Sequence, residues 1–144
     1  MALVALPRPF ILMPEGAIQL AGQATAAGSA SGITFNGAAD KIAWVFQAKS
    51  TTPPDTVRFV VSSYTSSGTV DATLETVASD GTPSGTPVTN SGTASKTVTG
   101  SGYQATAAGL AGTASLTVGA VYAIVLTAAA GFAGNFVIPA RYGS

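Results

Sequence analysis

Chemistry in this chain has to come from carboxylates, because its 144 residues include no histidine and no cysteine. Their absence removes imidazole acid–base work, thiol nucleophiles, disulfides and the usual zinc and iron ligand sets. A serine nucleophile fares no better, since no G-x-S-x-G elbow occurs and no imidazole could activate it. Glycoside hydrolysis needs two carboxyl groups about 5 to 9 Å apart across a cleft. Asp71 and Glu75 share one face of an alternating segment, and at about 3.3 Å rise per residue they stand roughly 13 Å apart, too far to act as such a pair. Asp40, Asp55 and Asp80 sit beside turn-forming residues, where a carboxylate bonds to nearby backbone N–H groups. A calcium ion takes oxygen ligands from loops, yet no DxDxDG-like cluster is present. The residue types therefore predict no catalytic, cofactor-binding or metal-binding residues, and a protein that is not an enzyme.

The segments that would position these side chains are short and alternating. Residues 40–48 place Ile42, Trp44 and Phe46 on one face; residues 56–64 alternate Val57, Phe59 and Val61 with Arg58 and Val60. Residues 69–78 set Val70, Ala72, Leu74 and Thr76 against Asp71, Thr73 and Glu75. Period-two alternation of this kind marks strands with one wet face. Shorter strands are predicted at 33–35, 88–90, 95–99 and 103–106, and at 113–118 with Ala114, Leu116 and Val118 on one side. Residues 120–128 are apolar on both faces, as in a covered central strand, and residues 135–138 read as a closing edge strand limited by Pro139. Turns fall at Asn36-Gly37, at Pro53-Pro54-Asp55, at Ser67-Gly68 and in the loop 79–87. About eight to ten strands at this spacing predict an all-β chain folded as an antiparallel β-sandwich. Trp44, the single tryptophan, is in phase with Ile42 and Phe46 and is assigned to the core.

Charged residues make up 8% of the chain and the formal net charge is zero. Against a usual share of about 25%, that leaves little colloidal repulsion, so part of the surface is expected to be covered by other copies or by a larger particle. The basic residues, spread from Arg8 to Arg141, form no patch able to neutralise phosphates, which argues against nucleic acid. Residues 118–138 are apolar but carry Gly119, Gly131 and Gly134 and alternate like strands, which argues against a membrane span. The length suits one domain, and the lack of cysteine favours assembly in a reducing cytoplasm.

The first fifteen residues are different. Pro7, Pro9 and Pro14 interrupt any helix and Arg8 breaks the apolar run, so the segment is expected to be an extended arm and not a signal peptide. Residues 1–15 form this arm and residues 16–144 the single sandwich domain. Leu3, Val4, Leu6, Phe10, Ile11, Leu12 and Met13 are too apolar to stay in water, since burying each large side chain stabilises by about 1.5 to 3 kcal/mol. Two fates stay open: docking on a neighbouring subunit or host particle as an assembly interface, or folding back as an edge strand of the same sandwich.

The hairpin VDATLETVASDGTPSGTPV at 70–88, the run LTVGAVYAIVL at 116–126 and, more loosely, IAWVFQA at 42–48 resemble a jelly-roll module of phage virion proteins, similar also to accessory modules of carbohydrate-active proteins. Within that resemblance DGTPSG makes a tight turn and Gly119 bends the chain before Tyr122 packs. The resemblance implies a jelly-roll fold and a capsid decoration or cement protein in the virion, assembled in the host cytoplasm. Its partners would be the major capsid protein, other virion subunits and its own copies, with a trimer as the expected homo-oligomer. The alternative it implies is a receptor- or carbohydrate-binding module of a tail fibre or adhesin, using loops 79–85, 101–103 or 130–135. The tryptophan expected near Gly102 in the sugar-binding version is Tyr103 here.

Overall fold

Alternation along the chain becomes strands in three hydrogen-bonded sheets, arranged in two layers. The computed structural model describes residues 12–13, 17–19 and 33–139. These form β1 (Leu12–Met13), β2 (Ala17–Gln19), β3 (Ile33–Phe35), β4 (Lys41–Gln47), β5 (Thr56–Val61), β6 (Ser63–Ser66), β7 (Gly68–Val77), β8 (Pro83–Pro87), β9 (Thr93–Val98), β10 (Gly102–Ala105), β11 (Val121–Ala128) and β12 (Asn135–Ile138), with no helix among the described residues. In one layer β4, β11 and β7 run side by side, antiparallel throughout. The long β7 then carries two partners, β9 opposite residues 68–73 and β8 opposite its C-terminal end.

The other layer is built around β5 and β6. β5 pairs with β10 and, in parallel, with β2, to which β1 adds as a short hairpin; β6 pairs with β12, which pairs with β3. Among the described residues the parallel β2–β5 pair is the one departure from the antiparallel expectation. Val57, Phe59 and Val61 point inward from β5, whereas from β6 it is Tyr64 that packs on the core. Ser62 causes this change of parity: its N–H donates to the Val137 carbonyl at 2.9 Å as the one extra residue between two strands that otherwise run on. A one-residue bulge sends every later side chain to the opposite face.

Between the layers lies one main core. Ile42, Trp44 and Phe46 from β4, Val70, Ala72 and Leu74 from β7 and Ile124 and Leu126 from β11 meet Val57, Phe59, Val61, Phe35, Phe136 and Ile138. Trp44 is 2% exposed, as its phase requires. Phe35 and Phe136 stack with centroids 5.7 Å apart, and the Phe132 ring stands edge-on to both.

Several expected elements differ. Residues 113–118 form no strand; they belong to an irregular connection, 106–120, in which the Leu116 N–H goes to the Thr51 carbonyl at 2.8 Å and the Thr113 N–H to the Asn90 carbonyl at 3.0 Å. Leu116 is buried there, but Val118, expected on the same side, is 58% exposed. The strand anticipated at 88–90 lies earlier, as β8, within what reads as a loop; its prolines, both in register with β7, fit because β8 is the edge of its sheet among the described residues. β12 is not an edge: it is central, between β3 and β6, and Pro139 follows its last paired residue. Thr76 is exposed where alternation placed it inward.

Candidate interaction surfaces

Turn chemistry occupies the described carboxylates one after another. One Asp40 oxygen accepts the backbone N–H groups of Asn36 (2.8 Å) and Gly37 (2.7 Å), closing the β3–β4 turn. Asp55 accepts from the N–H groups of Gly109 (2.9 Å) and Ala111 (3.2 Å), pinning the 106–120 connection. Asp80 accepts from the Thr82 hydroxyl (2.6 Å) and N–H (3.0 Å) in the β7–β8 turn. These bonds, the Thr82 hydroxyl foremost and its N–H next, hold the Asp80 carboxyl below its ordinary value of 3.8. This is the role sequence context assigns to all three. Asp71 and Glu75 do share the outer face of β7, but each has its own partners: Asp71 accepts from the Ser95 hydroxyl at 2.6 Å, and Glu75 from the Gly85 N–H at 2.9 Å and the Thr73 hydroxyl at 3.3 Å. Among the described residues no three acidic groups gather as a metal would require.

Each layer also has a face turned away from the main core. On β4 and β11 the residues of that face, Ala43, Val45, Ala123 and Val125, form a second packed cluster and are themselves buried. Beside it runs a hydroxyl ladder, in which Thr69 and Thr97 share a hydrogen bond of 2.8 Å and Ser95 bonds Asp71. The charges on this face are Asp71, Glu75 and, two strands away across Thr127, Lys41. At one end the face runs into Val121, 45% exposed, and Val118.

The opposite outer face, on β3, β12, β6, β5 and β10, carries Thr34, Val137, Ser63, Thr65, Val60 and Ala105, with Arg58 as its only charge among the described residues. Register places Tyr103 opposite Val60 and Ala105 opposite Arg58, so Tyr103 and Arg58 are diagonal neighbours on one face. Such neighbours lie about 7 to 8 Å apart at the backbone, within reach of long side chains. Tyr103 is 74% exposed, and the Arg58 guanidinium has no partner among the described residues. Sequence alternation shows Arg58 facing out. It does not show which residue stands beside it, because that depends on pairing with a strand some forty residues further on.

Of the arm residues, Leu3, Val4, Leu6, Phe10 and Ile11 lie outside the described residues. The backbone of Leu12 and Met13 forms β1, opposite Ile18 and Ala17 of β2. Comparison with protein families, with curated proteins and with solved structures returns no match.

Proposed function

We propose that the protein is a non-enzymatic virion subunit of the capsid decoration or cement type, with a jelly-roll sandwich that acts through repeated contacts with its own copies and with the phage shell. The observation that carries this reading is that the described carboxylates each bond within the fold, while the β5–β10 face shows one described charge, Arg58, beside the exposed Tyr103. Such a face offers area and shape to a neighbour and no positioned group to a substrate. The arm, with Leu3, Val4, Leu6, Phe10, Ile11, Leu12 and Met13, supplies further apolar surface for the same contacts. Light scattering during size exclusion, on the full chain and on a form lacking residues 1–14 checked for folding by circular dichroism, tests it. A defined oligomer that the truncation weakens supports the reading, and two identical monomers count against it.

A second reading is favoured by Tyr103 alone. An aromatic ring 74% exposed on a flat face is suited to stacking on a sugar. Glycan-array binding that disappears in Tyr103→Ala would put this receptor-binding reading first.

A further inference from the structure

The two outer faces differ in sign. Arg58 is the only charge on the described β5–β10 face, without a partner among the described residues and beside the exposed Tyr103. The β7 face carries two acids against one lysine. Both Glu75 oxygens are engaged, by Gly85 and Thr73, whereas Asp71 uses one oxygen for Ser95 and keeps the other without a partner among the described residues. Lys41 stands two strands from Asp71, about 10 Å away, on the edge strand β4.

We propose that copies of this chain associate front to back, the Arg58 guanidinium of one pairing with the Asp71 carboxylate of the next while Tyr103 covers the centre of the contact. This rests on the reading of the protein as a self-associating structural subunit and names the surfaces it would use. A planar guanidinium meets a carboxylate side-on through parallel N–H bonds, which fixes orientation as well as attraction. Arg and Tyr are among the residue types that most often carry the energy of an interface, and the side-on hydrogen bonds of the Arg58–Asp71 pair are what offsets the desolvation of its two charges. Because the two surfaces are different, the contact is heterologous: it closes into a ring if the rotation between copies allows, and otherwise continues as a chain.

The test is light scattering on the full chain at low and high salt, with Arg58→Asp, Asp71→Lys, and both changes in one chain. The wild type is expected to self-associate and to weaken as salt rises. Each single change should raise the dissociation constant by roughly a hundredfold or more, since it sets like charges face to face. The double change, which reverses the pair, should restore association; that recovery separates a broken contact from a misfolded chain, and circular dichroism of each variant adds an independent check. Association that survives both single changes overturns the proposed contact and leaves the structural-subunit reading standing. Loss in both singles with no recovery in a folded double variant also overturns it. A wild type that stays monomeric at all concentrations overturns the contact and the self-association reading together.

Discussion

Asp55 holds Leu110 in the core. Its carbonyl accepts the Leu110 N–H at 3.1 Å, and its carboxylate accepts the N–H groups on either side, from Gly109 and Ala111. Three successive amides of an otherwise irregular connection thus end on one residue, and the Leu110 side chain between them is fully buried. Asp55→Ala should cost about 1.5 to 3 kcal/mol, the range for hydrogen bonds to a charged group, read as a lower midpoint in urea. Asp55→Asn keeps one acceptor oxygen and should lose less.

Thr106 is the only polar residue buried among the described residues, and it makes a reciprocal pair with Val57. Its N–H donates to the Val57 carbonyl at 2.9 Å, and its hydroxyl accepts the Val57 N–H at 3.0 Å. Thr106→Val keeps the shape but leaves the Val57 N–H without an acceptor, at a cost of about 1 to 3 kcal/mol. Thr106→Ser should retain most of the stability. Equal denaturation midpoints for the Val and Ser variants would show that the hydroxyl is idle.

Gly68 and Gly134 touch backbone to backbone beneath the Phe132 ring. A Cβ on Gly134 would come within 2.7 Å of the Gly68 Cα, and one on Gly68 within 2.8 Å of the Gly134 Cα. Either alanine substitution forces the β6–β7 corner away from the connection before β12, so each should destabilise by about 1 to 3 kcal/mol. Because the two clashes are relieved by the same separation, the double variant should lose less than the sum of the singles.

Asp80 should titrate below 3.8 in an NMR pH series, and Thr82→Val should move it back toward that value. The sign follows from linkage. A carboxyl whose folded pKa lies below its unfolded one contributes stability above the unfolded value, and that contribution is lost as pH falls through the folded pKa. Any pH effect from this turn is therefore confined to the acid side of 3.8, and because Asp80 is fully solvated it should be small.

The long strands were legible because their patterns are local. In β4, β7 and β11 the alternation, or the lack of it, follows directly from whether one or both faces are covered, and it also puts Trp44 inside. The Asp40, Asp55 and Asp80 turns were legible for the same reason, since their flanking residues announce them. The 106–120 connection was not: Ala114 and Leu116 do alternate, but their N–H groups are taken by loop carbonyls and never meet a ladder. Nor could the sequence place β12 between two neighbours or bring Tyr103 beside Arg58, because those relations are set by register between distant segments. The bulge at Ser62 had no composition signal beyond a small polar residue.

β8 begins and ends on proline, and Gly85 between them takes a positive φ of 74°. Proline offers no N–H, so along this rim of the first layer an incoming extended chain finds missing donors and a kinked template. A protein with so little charge has few other means of keeping its sheets from zipping into fibrils. The two prolines thus make the β8 border a poor template for the addition of another strand.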